Sequence, residues 1–328
     1  VLNPALKFVC DQLGLYSFWK EAFMEQHPAD QGNSACGDTR KWFGIGLLFL
    51  SVSGFTFSIL TANRALKDGV DVHTINALRY SMTIVFLFLF QKIGDKQLKL
   101  PRRERLISIA LGISVFMTGI GYLAATKYLP ISLAVLIFYT APFFIAIISR
   151  FTENEPITII RLIAIVTAFI GIALALGIQT ESTISWQGVA LALLAAFGFV
   201  SLVCVSSLTM KTVNPQAVNF HCLFSGTVLF SVLLLVTGGS ESTISQSSWL
   251  KLSISGLTLT VGYMAFFAGL EIAGPVKSSM LMNTEPILTI IFAAVLLDER
   301  LSLVQWIGAG LVVVGIIMIT GRSKKENN

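Results

Sequence analysis

The chain has 328 residues, of which 54% are apolar and only 12% charged, with a net charge of +5. A soluble domain is about one quarter charged, so this composition excludes a water-covered globule, and the mean hydropathy of +0.77 makes lipid the natural solvent for most of the chain. The basic residues sit in short connecting segments, which argues for membrane topology and against nucleic acid as a partner.

Residues 1–41 lack a basic start and a continuous apolar stretch, so no cleavable signal peptide is expected there. They are read as an extension, partly non-native or interfacial. Met24 offers an initiator, and residues 5–23 alternate apolar and polar side chains as a surface-lying segment does.

A membrane helix needs about 20 mainly apolar residues. Such runs occupy 42–62, 72–91, 105–127, 131–150, 157–178, 186–208, 216–237, 249–271, 275–297 and 302–320, which predicts ten transmembrane helices. The connections are short and carry turn residues or charge, as in Thr212-Val213-Asn214-Pro215 and Asp298-Glu299-Arg300. Cys10, Cys36, Cys204 and Cys222 have no metal or redox spacing, so neither a metal site nor a disulfide framework is expected.

Lys and Arg set the orientation. With the N-terminus inside, the inner segments 40–41, 92–105, 150–161, 211, 277 and 322–325 hold 15 of them. The outer segments hold six, so both termini are expected in the cytoplasm, including the tail 321–328.

A constant offset of 144 residues aligns the two halves without a gap. Trp42 and Gly44 meet Trp186 and Gly188, Gly112 meets Gly256, Thr140 and Pro142 meet Thr284 and Pro286, and Gly171 meets Gly315. The units are thus 42–178 and 186–320, five helices each. An odd number of spans per unit sets the second upside down relative to the first, the inverted repeat found in secondary transporters that work by alternating access.

The segments Tyr139-Thr140-Ala141-Pro142 and Asn283-Thr284-Glu285-Pro286 stand at equivalent places in the fourth and ninth spans, and the second unit closes on Leu297-Asp298-Glu299-Arg300-Leu301. With these marks the chain resembles the EamA family of the drug/metabolite transporter superfamily. The first unit departs at its close, with Thr152-Glu153-Asn154-Glu155-Pro156 where a Glu-Arg-Leu form is usual. The resemblance implies an all-α membrane protein of two inverted five-helix repeats in a bacterial cytoplasmic membrane. It also implies export of amino acids or related small metabolites, by proton coupling or by facilitated diffusion.

Glu285 is the sharpest candidate residue, because a carboxyl near the middle of a span is costly. Proton coupling, substrate contact and a structural hydrogen bond all remain open for it. Pro142 and Pro286 interrupt helix hydrogen bonding, either as simple kinks or beside a cavity. A cavity there would border Tyr139, Thr140, Asn283 and Thr284. Tyr122 and Tyr263 are candidates for substrate contact or for packing, and Asn76 and His221 for the cavity wall or for structural roles. Arg79 either meets an anionic group or snorkels to the interface.

No cluster of nucleophile and base and no phosphate-binding loop is present, so neither an enzyme nor an ATP-driven pump is expected, and no cofactor. The expected partners are a small polar or zwitterionic metabolite and the lipid bilayer. A monomer suffices for this function, and a homodimer is compatible with it.

Overall fold

The computed structural model describes residues 34–93, 98–125, 128–129, 131–152, 158–175, 185–238, 245–288 and 302–320. Residues 1–33 of the extension 1–41, the tail 321–328 and the closing sequences around Glu155 and Glu299 lie outside them. Among the described residues there are helices and turns but no strand.

The helices in chain order are α1 (Ser34–Lys67), α2 (Val72–Ile93), α3 (Arg102–Ala125), α4 (Ile131–Phe138), α5 (Ala141–Thr152), α6 (Ile159–Ala175), α7 (Trp186–Thr209), α8 (Pro215–Thr237), α9 (Gln246–Ala273), α10 (Pro275–Met282) and α11 (Leu303–Thr320). Their ends follow local chemistry. Asp71 accepts hydrogen bonds from the backbone N–H of His73 and Thr74, which would otherwise be orphaned at the start of α2. Asn214 does the same for Gln216, and Pro215 occupies the first position of α8, where no N–H is needed. Gly238 ends α8 at φ +84°, a left-handed conformation that only glycine adopts without strain.

Seven helical stretches are long and apolar enough to cross a membrane: Trp42–Leu66, Val72–Lys92, Arg102–Tyr122, Ala134–Thr152, Trp186–Thr209, Pro215–Thr237 and Gln246–Ala273. Ile159–Ala175 and Leu303–Gly315 are apolar but shorter, and the ninth expected span is described only as far as residue 288. Trp42, Trp186, Trp249 and Trp306 are all exposed at the starts of apolar stretches, as membrane-interface anchors are. By contrast α9 runs through the centre, with 72% of its apolar window buried.

The packing repeats itself across the two halves. Helix α1 packs on α9, and α7, its counterpart 144 residues on, packs on α3, the counterpart of α9. Likewise α2 pairs with α9 and α8 with α3, while α2–α8 and α6–α11 each pair counterpart with counterpart.

The same relation holds residue by residue. A Cβ on Gly54 would meet the backbone of Thr258 and Gly262 at 2.8–3.0 Å, and one on Gly198 would meet Ser114 and Thr118 at 2.7–2.9 Å. These partners are themselves 144 residues apart. Gly112 abuts Gly226 while Gly256 abuts Met82, and Gly44 abuts Ile272 while Gly188 abuts Tyr128, at the same offset. Small residues let membrane helices approach closely enough to gain dispersion energy where no hydrophobic drive separates protein from lipid.

Polar side chains fasten these contacts. Ser58 and Ser255 donate to one another's backbone carbonyls at 2.9 and 2.8 Å, joining α1 to α9. Gln91 donates to the Gln216 carbonyl, and Gln216 to the Met264 carbonyl, tying α2, α8 and α9 together.

Candidate functional site

The two proline segments break their helices at matching places. Between α4 and α5, Thr140 Oγ1 donates to the carbonyl of Ile137 at 2.7 Å. After α10, Thr284 Oγ1 donates to the carbonyl of Leu281 at 2.6 Å. The chain is helical again over 285–288. Pro142 and Pro286 carry no N–H, so one carbonyl in the preceding turn loses its partner, and the threonine hydroxyls supply donors close to the break.

A partly open cavity of about 120 Å³ lies between the two halves, lined from α1 (Phe55, Ile59), α2 (Asn76, Arg79, Tyr80), α3 (Thr118, Tyr122), the breaks (Tyr139, Glu285) and α7 and α9 (Phe199, Tyr263). A cavity of roughly 150 Å³ accepts a benzene-sized ring in other proteins, so this one holds a small side chain or head group, and larger ligands require the helices to part.

Its polar chemistry falls into three groups. The Tyr139 hydroxyl donates to Glu285 Oε2 at 3.1 Å, linking the two broken spans. The Tyr80 and Tyr263 hydroxyls meet at 3.2 Å. Asn76 and Arg79 stand three residues apart on α2, hence on one face, at 1% and 7% exposure.

Neither amide atom of Asn76 nor Arg79 Nε has a hydrogen-bond partner among the described residues. Placing an Arg within a membrane helix costs about 2.5–3.5 kcal/mol on insertion scales. Arg79 lies seven residues into α2, ~10 Å along its axis, and it is buried there with its head turned to the cavity rather than snorkelling outward. Arg79 and Glu285 line the same cavity.

Aromatic rings form much of the rest of the wall. Phe55 meets Tyr263 edge-on at 5.0 Å, Phe138 meets Tyr122 at 5.5 Å and Phe199 at 5.5 Å, and Phe199 meets Phe266 at 6.0 Å.

The structure therefore gathers Asn76, Tyr122, Tyr139, Tyr263 and Glu285 around one cavity. It does not place Thr140, Asn283, Thr284 or His221 on the wall. The threonine hydroxyls are spent on backbone carbonyls, as above. Asn283 is 2% exposed, with its amide nitrogen 3.9 Å from Met280 Sδ. His221 Nδ1 lies 2.9 Å from the carbonyl of Ala217, and its ring sits edge-on to Phe220.

Sequence reasoning passed over Tyr80 and Phe55. Tyr80 follows Asn76 by four residues, and that helical spacing is the signal that would have found it. Among the described residues no group of three or more His, Cys, Asp or Glu is placed to hold a metal ion.

A helical bundle with long apolar spans, packed from two like halves around a cavity, has the build of a multi-pass membrane protein. The model of the EamA-like transporter family matches residues 42–177 and again 186–321. The chain belongs to that family, with the EamA domain present twice.

Its relatives are named as transporters. It is 21% identical over 234 residues to "Uncharacterized transporter YxxF" of Bacillus subtilis (strain 168), covering 70% of this chain and 74% of that one. It is 26% identical over 267 residues to "Uncharacterized transporter YoaV" of the same organism, covering 76% and 89%. An "Uncharacterized transporter" of Archaeoglobus fulgidus is 22% identical over 286 residues, covering 85% and 98%. A solved structure described as "Crystal structure of protein" superposes with a TM-score of 0.74 at 17% identity, over 86% of this chain and 99% of that one, which shows the fold.

Proposed function

We propose that this protein is a secondary transporter exporting amino acids or related small zwitterionic metabolites by alternating access, with Glu285 as the proton-coupling group. Ten spans in two inverted five-helix repeats, both termini in the cytoplasm and a bacterial cytoplasmic membrane location complete the reading. The observation that carries it is the Tyr139–Glu285 hydrogen bond, which crosses from the broken segment of one half to that of the other at the wall of the cavity. A carboxyl at that junction is sheltered from water in a closed state and meets water when either side opens, the exposure change that proton exchange requires.

The exchangeable pairings of the helices support alternating access, because two like halves can trade conformations and so turn one opening into the other. A second reading, a facilitative channel-like or multidrug permease without proton coupling, is supported by the ring-rich wall, which suits uncharged amphipathic molecules.

Purified protein in proteoliposomes tests both. Saturable counterflow of amino acids, accelerated by an imposed pH gradient, supports the first reading. Counterflow indifferent to the gradient supports the permease form of the second, and non-saturating flux overturns the first and supports the channel-like form of the second.

A further inference from the structure

We infer that Asn76 and Arg79 form a carboxylate-binding subsite that fixes which way round a ligand lies in the cavity. The inference rests on the transport reading of that cavity and names the chemistry its ligand must carry.

Three observations converge. First, both side chains line the cavity from one face of α2, both are more than nine-tenths buried, and both hold polar atoms without hydrogen-bond partners among the described residues. Buried polar groups of native proteins are nearly always partnered, so donors left open toward a cavity mark where a ligand's acceptors go.

Second, the fold does not need them. The residues 144 positions on, at equivalent places in α8, are Phe220 and Leu223, and α8 packs on α2 and α3 as a membrane helix without a cation or an amide at those two places. The polar pair is private to one half, as is Glu285, whose counterpart is Ala141.

Third, the donors match one chemistry. A guanidinium presents a rigid fork of N–H groups suited to the two oxygens of a carboxylate, and the carboxamide adds a further donor and an acceptor.

The cavity consequently has two poles. The α2 side offers positive charge and donors. The Glu285 side carries a carboxyl, which accepts from Tyr139. An α-amino acid laid between them puts its carboxylate on Asn76 and Arg79, its amino group toward Glu285, and its side chain among Phe55, Phe138, Phe199 and Phe266. A molecule lacking the carboxylate leaves a buried guanidinium without its partner, so the site rejects it, as sites built for a polar group reject analogues without it.

The test uses the twenty standard L-amino acids and their α-amides. Counterflow is measured in proteoliposomes, and ligand-induced thermal stabilisation in detergent. Wild type should transport at least one acid and favour it over its amide by tenfold or more. Arg79→Gln should remove that preference and Arg79→Lys should retain part of it. Asn76→Asp sets a negative charge against the carboxylate and should weaken the acid tenfold while sparing the amide. It also keeps the proposal testable if the Arg79 variants fail to assemble.

Equal handling of acid and amide by wild type overturns the subsite and leaves transport standing, as does an equal loss of both in the variants. Stabilisation that favours acids, without counterflow, supports the subsite and overturns the transport reading. Neither binding nor counterflow overturns both.

Discussion

The Tyr139 hydroxyl donates a hydrogen bond to Glu285 Oε2 at 3.1 Å, across 146 residues of sequence, and so joins the interruptions of two helices that occupy equivalent places in the two halves. Tyr139 and Glu285 are not themselves equivalent. The residue 144 positions after Tyr139 is Asn283, and the residue 144 before Glu285 is Ala141. The contact thus arises from a near-symmetric scaffold carrying unlike side chains.

Glu285→Gln keeps the shape and removes the titrating group. It should abolish the response of transport to an imposed pH gradient while leaving counterflow measurable. Tyr139→Phe deletes a single hydrogen bond, a loss of about 1 kcal/mol. It should slow gradient-driven flux by less than tenfold and preserve the gradient dependence. Both are read from proteoliposome flux at matched and unmatched pH, and an unchanged gradient response in Glu285→Gln removes the carboxyl from coupling.

The paired glycines predict paired damage. Gly54→Ala and Gly198→Ala each drive a methyl into neighbouring backbone or its immediate side chain, and overpacking of this kind costs about 1–3 kcal/mol. The two variants should lose thermal stability in detergent by similar amounts. Gly46→Ala, where no atom lies within 4 Å, should not. Unequal losses at 54 and 198 count against equivalent packing of the halves.

A pH effect is expected at the end of the α1–α9 pair. Asp68 accepts from Lys251 Nζ at 2.5 Å and from the Ser248 hydroxyl at 2.8 Å. These bonds to the charged form hold its carboxyl below the ordinary value of 3.8. A depressed folded value means that the tie is fully present above 3.8 and is lost as pH falls through the lowered value. Hydrogen-exchange protection over 246–252, normalised for intrinsic rates, should therefore fall in strong acid. Asp68→Asn at neutral pH should reproduce that fall. The pair is exposed, so added salt should weaken it as well.

His221 should prove dispensable. Its ring nitrogen is engaged with the Ala217 carbonyl on its own helix and it does not line the cavity. His221→Ala should leave counterflow rates and their pH profile unchanged, and a shifted profile would return it to the site.

Much of the scaffold could be read from the sequence because lipid imposes coarse rules. Apolar length sets the spans, and the 144-residue offset foretells the paired packing found at Gly54 and Gly198. The helix breaks were legible at Pro142 and Pro286, since a missing N–H cannot be repaired within the helix. The wall of the cavity was less so. Thr140 and Thr284 stand beside the breaks, yet their hydroxyls turn back onto the carbonyls of Ile137 and Leu281, which already accept the threonines' own N–H groups, and nothing in the sequence sets that rotation. Arg79 was ambiguous because a long side chain near a helix end can point either way, and only packing decides that it turns inward.

The privacy of Arg79 and Glu285 to opposite halves, facing Leu223 and Ala141 across the repeat, has a kinetic consequence. On the transport reading, a ligand held by unlike poles leaves carboxylate first toward one compartment and ammonium first toward the other, so half-saturation concentrations measured from the two faces should differ. Detailed balance then constrains what that inequality can achieve. Without a coupled ion, Vmax/KM must be identical in the two directions, and a tighter face is necessarily a slower one. Net outward pumping has to be drawn from a gradient, whichever way the polar pair is built.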